Sequence, residues 1–291
     1  MMKYFDLHCD TATEIYKFKI DLDDTRLHIN SKALSCFKES YQLCAVFTDD
    51  TKKSLGMDYF KAVVDNFLPM ARKVKGFHPI VSIESGGILE GNIENLNILK
   101  DYDVKVFGFT WNGENELGYG SAFDNNKPLT EFGREVLTEL NNLNIIPDIS
   151  HLSDGGVYDI MNLSDKPFFA THSNSRTICE HKRNLTDEQI KEIIRRGGLI
   201  GINLYPPFIS QTAPSLDCLM KHIYHMLVLG GKDNICLGCD WDGMTPTSDI
   251  KDVTAVNKIY KKVKETFTEE MADKIVFENA FKTFSSELKL I

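Results

Sequence analysis

The sequence predicts an α/β fold, a (β/α)8 TIM barrel with additional C-terminal helices, on three observations. Short β-branched and aromatic runs alternate with longer amphipathic stretches along all 291 residues, the hydrophobic period switching from strand-like to helix-like each time. Eight of the short runs can be counted, the number a closed barrel requires. No Gly-rich phosphate loop follows the first of them, which weakens the doubly wound open sheet that the same alternation would suit. No linker rich in Pro, Gly or Ser divides the chain, so residues 1–291 read as one domain.

In chain order, strands are expected at Tyr4–His8, Leu43–Thr48, Pro79–Glu84, Lys105–Trp111, Ile145–His151, Pro167–His172, Leu199–Tyr205 and Ile235–Asp240. Helical periodicity fills the intervals at Met57–Lys75, Ile93–Lys100, Thr130–Leu143, Gly156–Leu163, Asp187–Arg196 and Leu216–Leu229. It continues past the last strand at Val253–Thr266 and Glu269–Lys289. Ser153-Asp154 marks one helix start, and Thr186-x-x-Gln189 is a capping-box pattern ahead of Ile190, Ile193 and Ile194. Gly197-Gly198 ends that helix and hands the chain to the next strand.

Composition excludes several classes. Forty-two acidic against 33 basic residues give a net charge of −9, a poor match to nucleic-acid binding that rests on neutralising phosphates. Asp6 and Asp10 fall where a signal peptide would have its apolar core, and the charge-free stretch Gly197–Leu216 holds three prolines, so neither export nor membrane insertion is expected. The final residues, Glu287 to Ile291, form no hydrophobic tail. Seven scattered cysteines read as reduced thiols in a cytoplasm, with Cys236 and Cys239 as small core residues.

The ends of the predicted strands carry the chemistry. They read His8 with Asp10 just beyond, Glu84, Trp111, His151, His172, Tyr205 and Asp240, and in a parallel barrel all such ends meet on one face. His8 and Asp10, two apart, point the same way from an extended strand. Any one of these residues alone reads as an ordinary hydrogen-bonded side chain. Five of the eight strands ending in His, Asp or Glu do not, and the remaining histidines, His28, His78, His181, His222 and His225, are scattered. The last two lie on a helical stretch and are expected to face solvent or the barrel's outer layer. Imidazoles and carboxylates converge in a cleft only around a compensating positive charge, and this mixed donor set suits zinc and related divalent metals. Five ligands exceed what one catalytic zinc uses, so two ions sharing Glu84 as a bridge account for the number. Asp240 is then the natural proton acceptor and donor for a metal-assisted hydrolysis.

At this point the motifs form an ordered set. They are Phe5-Asp6-Leu7-His8-Cys9-Asp10-Thr11, Ile83-Glu84-Ser85-Gly86-Gly87, Asp148-Ile149-Ser150-His151-Leu152-Ser153, Thr171-His172-Ser173-Asn174-Ser175, Lys182-Arg183-Asn184 and Gly238-Cys239-Asp240-Trp241-Asp242-Gly243. The chain resembles the membrane (renal) dipeptidase family, peptidase family M19, within the metal-dependent hydrolase barrels. The resemblance implies one zinc on His8, Asp10 and Glu84 and a second on Glu84, His151 and His172. It also implies a bridging hydroxide that attacks a dipeptide's single peptide bond. Asp240 matches the family's catalytic aspartate, Arg183 its ligand for the substrate's C-terminal carboxylate, and Tyr205, more loosely, a tyrosine lining the pocket. The family often tolerates a D-residue at the C-terminal position, which brings L,D-dipeptides within range, and it suggests a homodimer.

One departure stands out. The family's mammalian members carry a histidine that contacts the substrate carbonyl, where this chain reads Gly108-Phe109-Thr110-Trp111-Asn112. Indole offers one N–H and no charge, and oxyanion stabilisation is often worth about 2.7–4 kcal/mol. The metals, Asn112 or Asn115 are the groups placed to replace part of it, and Trp111 and Asn112 are expected to contact substrate. Two other readings stay open: a related binuclear hydrolase acting on amides, lactones or phosphoesters, and a metal-binding relative impaired by Trp111. Many of the former bridge their metals with a modified lysine at the end of the fourth strand, where this chain has Trp111.

Overall fold

Parallel strands buried on both faces carry near-continuous apolar runs, and β1 (Lys3–Cys9) and β2 (Glu39–Phe47) are buried along almost their whole length. They are followed by β3 (Phe77–Glu84), β4 (Val106–Gly108), β5 (Ile146–Asp148), β6 (Ile200–Ile202) and β7 (Ile235–Leu237). All pair in parallel, in the order β5-β4-β3-β2-β1-β7-β6. The structure, a computed structural model, describes residues 1–51, 55–247 and 250–285.

Among the described residues there are seven named strands, one fewer than expected. The missing one, Pro167–His172, is reduced to two parallel bridges, Asp148↔Phe169 and Ala170↔Ile200. Those bridges close the barrel. Phe169 donates to the Pro147 carbonyl (2.8 Å) and Ala170 to that of Leu199 (3.0 Å), so this segment joins β5 to β6. The last four named strands are three residues long, shorter than expected, and at the ends of β5 and β6 polar side chains take backbone groups the ladder would use. The Asp148 carboxylate captures the N–H of Ser150 and of Thr171, each at 3.0 Å. Asn203 Oδ1 takes that of Tyr205.

The helices fall close to their expected places, at Gly56–Ala71, Asn95–Asp101, Glu131–Leu143, Asp154–Leu163, Asp187–Arg195, Leu216–Val228 and Val256–Thr266. The capping box forms, with Thr186 Oγ1 accepting from Gln189 N (3.2 Å) and Gln189 returning the bond (3.0 Å). His222 departs from expectation in being fully buried: Nδ1 accepts from Ser175 N and Nε2 meets the Ile209 carbonyl. The expected last helix begins as Glu269–Asp273, passes through a π turn at Lys274–Glu278 and resumes at Asn279–Ser285; its residues 286–289 and the chain end through Ile291 lie outside the described residues.

The barrel interior is layered. Near the strand starts, Phe5, Leu7, Tyr41, Leu43, Ile80, Val106, Phe169, Leu199 and Cys236 make an apolar floor, which Phe277, Phe281 and Phe284 cover from below. Asn279 Nδ2 ties that covering helix to β7 through the Ile235 carbonyl (2.8 Å). Above the floor comes a waist where backbones almost touch. A Cβ on Gly201 or Gly238 would lie within 2 Å of the Thr171 carbonyl oxygen, so only glycine fits at either position. Above the waist the interior turns polar. In β1 a bulge sets Leu7 and His8 opposite Leu43, because pairing passes from Asp6↔Gln42 to Cys9↔Cys44. The extra residue lets Leu7 serve the floor while His8 turns toward the polar end.

Candidate active site

His8, Glu84 and His172 are buried at the C-terminal mouth of the barrel, with Asp10 and His151 beside them. Glu84 sits at the centre and divides its oxygens: Oε2 lies 3.2 Å from His8 Nε2, while Oε1 lies 2.9 Å from His151 Nε2 and 3.9 Å from His172 Nε2. Asp10 Oδ2 is 3.7 Å from His8 Nε2. Two triads in this cluster have the compactness a metal site needs, His8–Glu84–His172 and His8–Asp10–Asp240.

The residues fit a cation. His8 Nε2, Asp10 Oδ1 and Glu84 Oε2 are buried and make no hydrogen bond, an arrangement that is costly unless a charge satisfies it. His151 and His172 approach Nε2 to Nε2 at 2.9 Å. Burial, reinforced by the Arg183 charge, pulls His151 down to about 4, and burial with the neighbouring His8 charge holds His172 well below the usual histidine range. Both are therefore neutral, the form that ligates a metal. His8 differs: burial alone would lower it, and the Glu84 and Asp10 carboxylates overcome that and raise it.

Asp240 lies beyond β7 with a positive φ of 65°, which turns its carboxylate across the mouth. Its Oδ1 is 4.0 Å from His8 Nε2, and its Oδ2 accepts from Asn203 Nδ2 at 3.3 Å. Burial pushes its carboxyl up to about 6, with Glu84 adding to the rise against the opposing His8 charge. Gly243 folds back over this group, and any Cβ there would collide with the Asp10 and Asp240 carboxylates.

Arg183 is 4% exposed, yet its Nε and Nη2 make no hydrogen bond, and Nη1 reaches only Ser173 Oγ at 3.5 Å. The guanidinium stacks over Phe208 at 5.2 Å, and burial lowers it to about 10, so it stays charged. No strand carries this residue. Its loop is held by Arg176, which donates to the Asn184 and Lys182 carbonyls (2.8 and 3.0 Å) and clamps Asp154 with two bonds of 2.7 and 2.9 Å. Neither Arg176 nor Asp154 stood out as functional in the sequence, because a loop clamp between distant residues has no local signature.

Arg183, Tyr205, Trp111, Asn112, His151, Glu84, Asp10 and Asp240 all line one cavity of about 580 Å³. Trp111 stands edge-on to Phe47, with ring centres 5.1 Å apart. Asn112 also meets His151 Nδ1 through its Oδ1 at 3.1 Å, so it orients a histidine of the cluster. Asn115 does not face the cavity. Its amide is spent on Phe109 O, Asp50, Ser85, Leu117 N and Gly118 N, which removes it from the groups available to a substrate.

The membrane dipeptidase family model (peptidase family M19) matches residues 1–289, and the chain belongs to that family. A Klebsiella pneumoniae protein encoded in the pqqA 5′ region is 27% identical over 220 residues, covering 72% of this chain and 81% of its own. The solved structure of dipeptidase AC, a family M19 metallopeptidase, superposes with a TM-score of 0.86 at 22% identity over 98% of both chains. A Rhodobacter sphaeroides metallopeptidase, liganded with a phosphinate mimic of the dipeptide L-Ala-D-Ala, superposes with a TM-score of 0.84 at 21% identity, covering 97% of this chain and 98% of that one. These likenesses establish the barrel. Among the described residues, no helix is long and apolar enough to cross a membrane.

Proposed function

We propose that this chain is a two-metal dipeptidase, zinc being the metal its donor set suits best. The observation that carries the reading is the pairing, in one cavity, of a cation-seeking His–carboxylate cluster with a buried guanidinium whose donors are unspent. His8, Asp10 and Glu84 would hold one ion and Glu84, His151 and His172 the other, Glu84 standing between the two groups of donors. Bound there, such ions supply an acidified water and a polarised carbonyl.

The protein's own groups do the rest. Arg183 lines the cavity and, with Nε and Nη2 unspent on protein partners, takes the substrate's free carboxylate with its planar guanidinium. That anchor sets a fixed distance to the cluster, so only a short peptide places its bond correctly. Asp240 faces the cluster and removes the proton of the attacking water, then returns it to the departing amine. Asn203 holds the second oxygen of Asp240 and so fixes which oxygen faces the reaction. Trp111 and Phe47 wall the side of the cavity, with Tyr205 and Phe208 beside Arg183. Residues 1–291 act in this reading as one domain, and the seven unpaired cysteines suit a reducing cytoplasm.

The test is hydrolysis of a panel of L,L- and L,D-dipeptides by zinc-loaded protein, with metal content measured on the same sample. About two zincs per chain with cleavage of some dipeptides is expected. Two zincs with no dipeptide cleaved would overturn the peptidase reading in favour of other amides or lactones, or of a binding relative in which Trp111 has removed the activity.

A further inference from the structure

His172 is the most deeply seated of the clustered histidines, and its outer nitrogen does not face solvent. Nδ1 lies 2.8 Å from Thr171 Oγ1, which lies 2.5 Å from Asp148 Oδ2. All three side chains are buried. The protons in this chain can be assigned by counting. The Asp148 carboxylate receives Ser150 N (3.0 Å), Ser150 Oγ (2.7 Å) and Thr171 N (3.0 Å) at Oδ1, and Thr171 Oγ1 at Oδ2. A carboxylate only accepts, so the single Thr171 hydroxyl proton points at Asp148. The hydroxyl oxygen then has only lone pairs to offer His172. Ser150 Oγ, 3.2 Å from Thr171 Oγ1, donates at the shorter 2.7 Å to Asp148 while accepting from His172 N at 3.1 Å, and a Thr171 proton shared with it would still leave only lone pairs facing His172. His172 Nδ1 must therefore carry the imidazole proton, which leaves Nε2 bare and directed at Glu84 and His151.

We infer that Asp148 and Thr171 are positioning residues that fix the His172 tautomer, so that its Nε2 lone pair is permanently presented to a divalent cation. The inference rests on the metal assignment proposed above and extends it beyond the ligands themselves. Histidine ligands commonly donate their second N–H to a carboxylate or carbonyl that orients them. In this chain a hydroxyl stands between, and the carboxylate decides which way that hydroxyl points. The same carboxylate, by holding Ser150 N, fixes the backbone next to His151 as well.

Two substitutions separate the tautomer effect from a general loosening of the fold. Asp148→Asn keeps an oxygen for the backbone donors but presents an N–H₂ to Thr171 Oγ1. The hydroxyl proton is thereby turned toward His172, and the imidazole proton is forced onto Nε2. Thr171→Val removes the hydroxyl altogether, whereas Thr171→Ser retains it. In metal-free protein labelled with ¹⁵N at histidine, NMR should find His172 protonated on Nδ1 in the wild type and in Thr171→Ser. It should find His172 shifted toward Nε2–H in Asp148→Asn and without a fixed tautomer in Thr171→Val. Zinc titration against a chromophoric chelator should show affinity reduced by about 10–100-fold in Asp148→Asn and Thr171→Val, with Thr171→Ser near wild type. An Nδ1–H tautomer and wild-type zinc affinity in both disruptive variants would overturn the inference. His172→Ala serves as the reference and should lose one of the ions. If it binds zinc as the wild type does, the metal assignment itself fails, an outcome distinct from failure of the relay alone.

Discussion

At the start of the strands Phe5, Tyr41, Leu43 and Ile80 pack against Phe277, Phe281 and Phe284, and each of these rings and aliphatic chains is covered by others. At the far end of the same strands His8, Asp10 and Glu84 crowd buried polar atoms together, and His8 Nε2, Asp10 Oδ1 and Glu84 Oε2 make no hydrogen bond. The two regions are separated only by the waist at Gly201 and Gly238. The floor lowers the free energy of the folded chain through burial, while the mouth raises it by confining charge. This contrast is the expected division in a barrel: one end holds the fold and the other spends stability on chemistry.

The sharpest test of that division is a pair of substitutions, one at each end. Asp240→Asn should lower turnover by about 10²–10⁴-fold, the usual weight of a positioned acid–base group. It should leave both metals bound and the melting temperature nearly unchanged. Retained turnover would remove Asp240 from proton transfer. Phe284→Ala should do the reverse, costing about 3–5 kcal/mol of stability as a buried ring is deleted, with metal content per folded chain preserved. Loss of metal before loss of fold would show that the two ends are coupled through the waist.

Smaller effects refine the picture of the mouth. Arg183→Ala removes a charge-assisted pair worth about 1.5–3 kcal/mol, so kcat/KM for dipeptides with a free carboxylate should fall by about 10–100-fold. Substrates amidated at the C-terminus should lose far less, and an equal loss on both would refute the assignment. Away from both ends, Glu192 is bonded by Arg195 and Arg196, and these bonds lower its carboxyl to about 2 from the usual 4.5. A depressed folded-state value means that the carboxylate stabilises above about pH 4.5 and that this contribution fades as pH falls toward 2. Glu192→Gln should therefore cost no more than about 1 kcal/mol at pH 7, and the difference should shrink along that acid limb in thermal melts.

Much of the mouth was legible in the sequence because barrel topology turns strand ends into neighbours. His8, Glu84, His151, His172 and Asp240 could be picked out as polar residues closing apolar runs, before any contact was known. The geometry that makes the cluster specific was not legible. The bulge that turns His8 inward depends on pairing with Leu43, thirty-six residues later in number than Leu7. The retreat of the Pro167–His172 strand follows from Asp148 capturing the Thr171 backbone, a competition settled only when the two segments meet. Asn115 looked as eligible as Asn112 in the sequence, and only the loop's own hydrogen bonds distinguish them. Arg183 needed the family motif, since a basic residue on a loop between charged neighbours has no pattern of its own.

The aromatic floor has a consequence for how the protein is made. Its upper half includes Phe5 and Leu7, while the rings that cover it, Phe277, Phe281 and Phe284, come from the far C-terminal side of the same barrel, after every named strand. A nascent chain therefore carries an uncovered greasy surface until the segment holding these three rings has been made. Chains released before residue 277 keep that surface open, and such fragments are predisposed to aggregate rather than to persist as smaller working barrels.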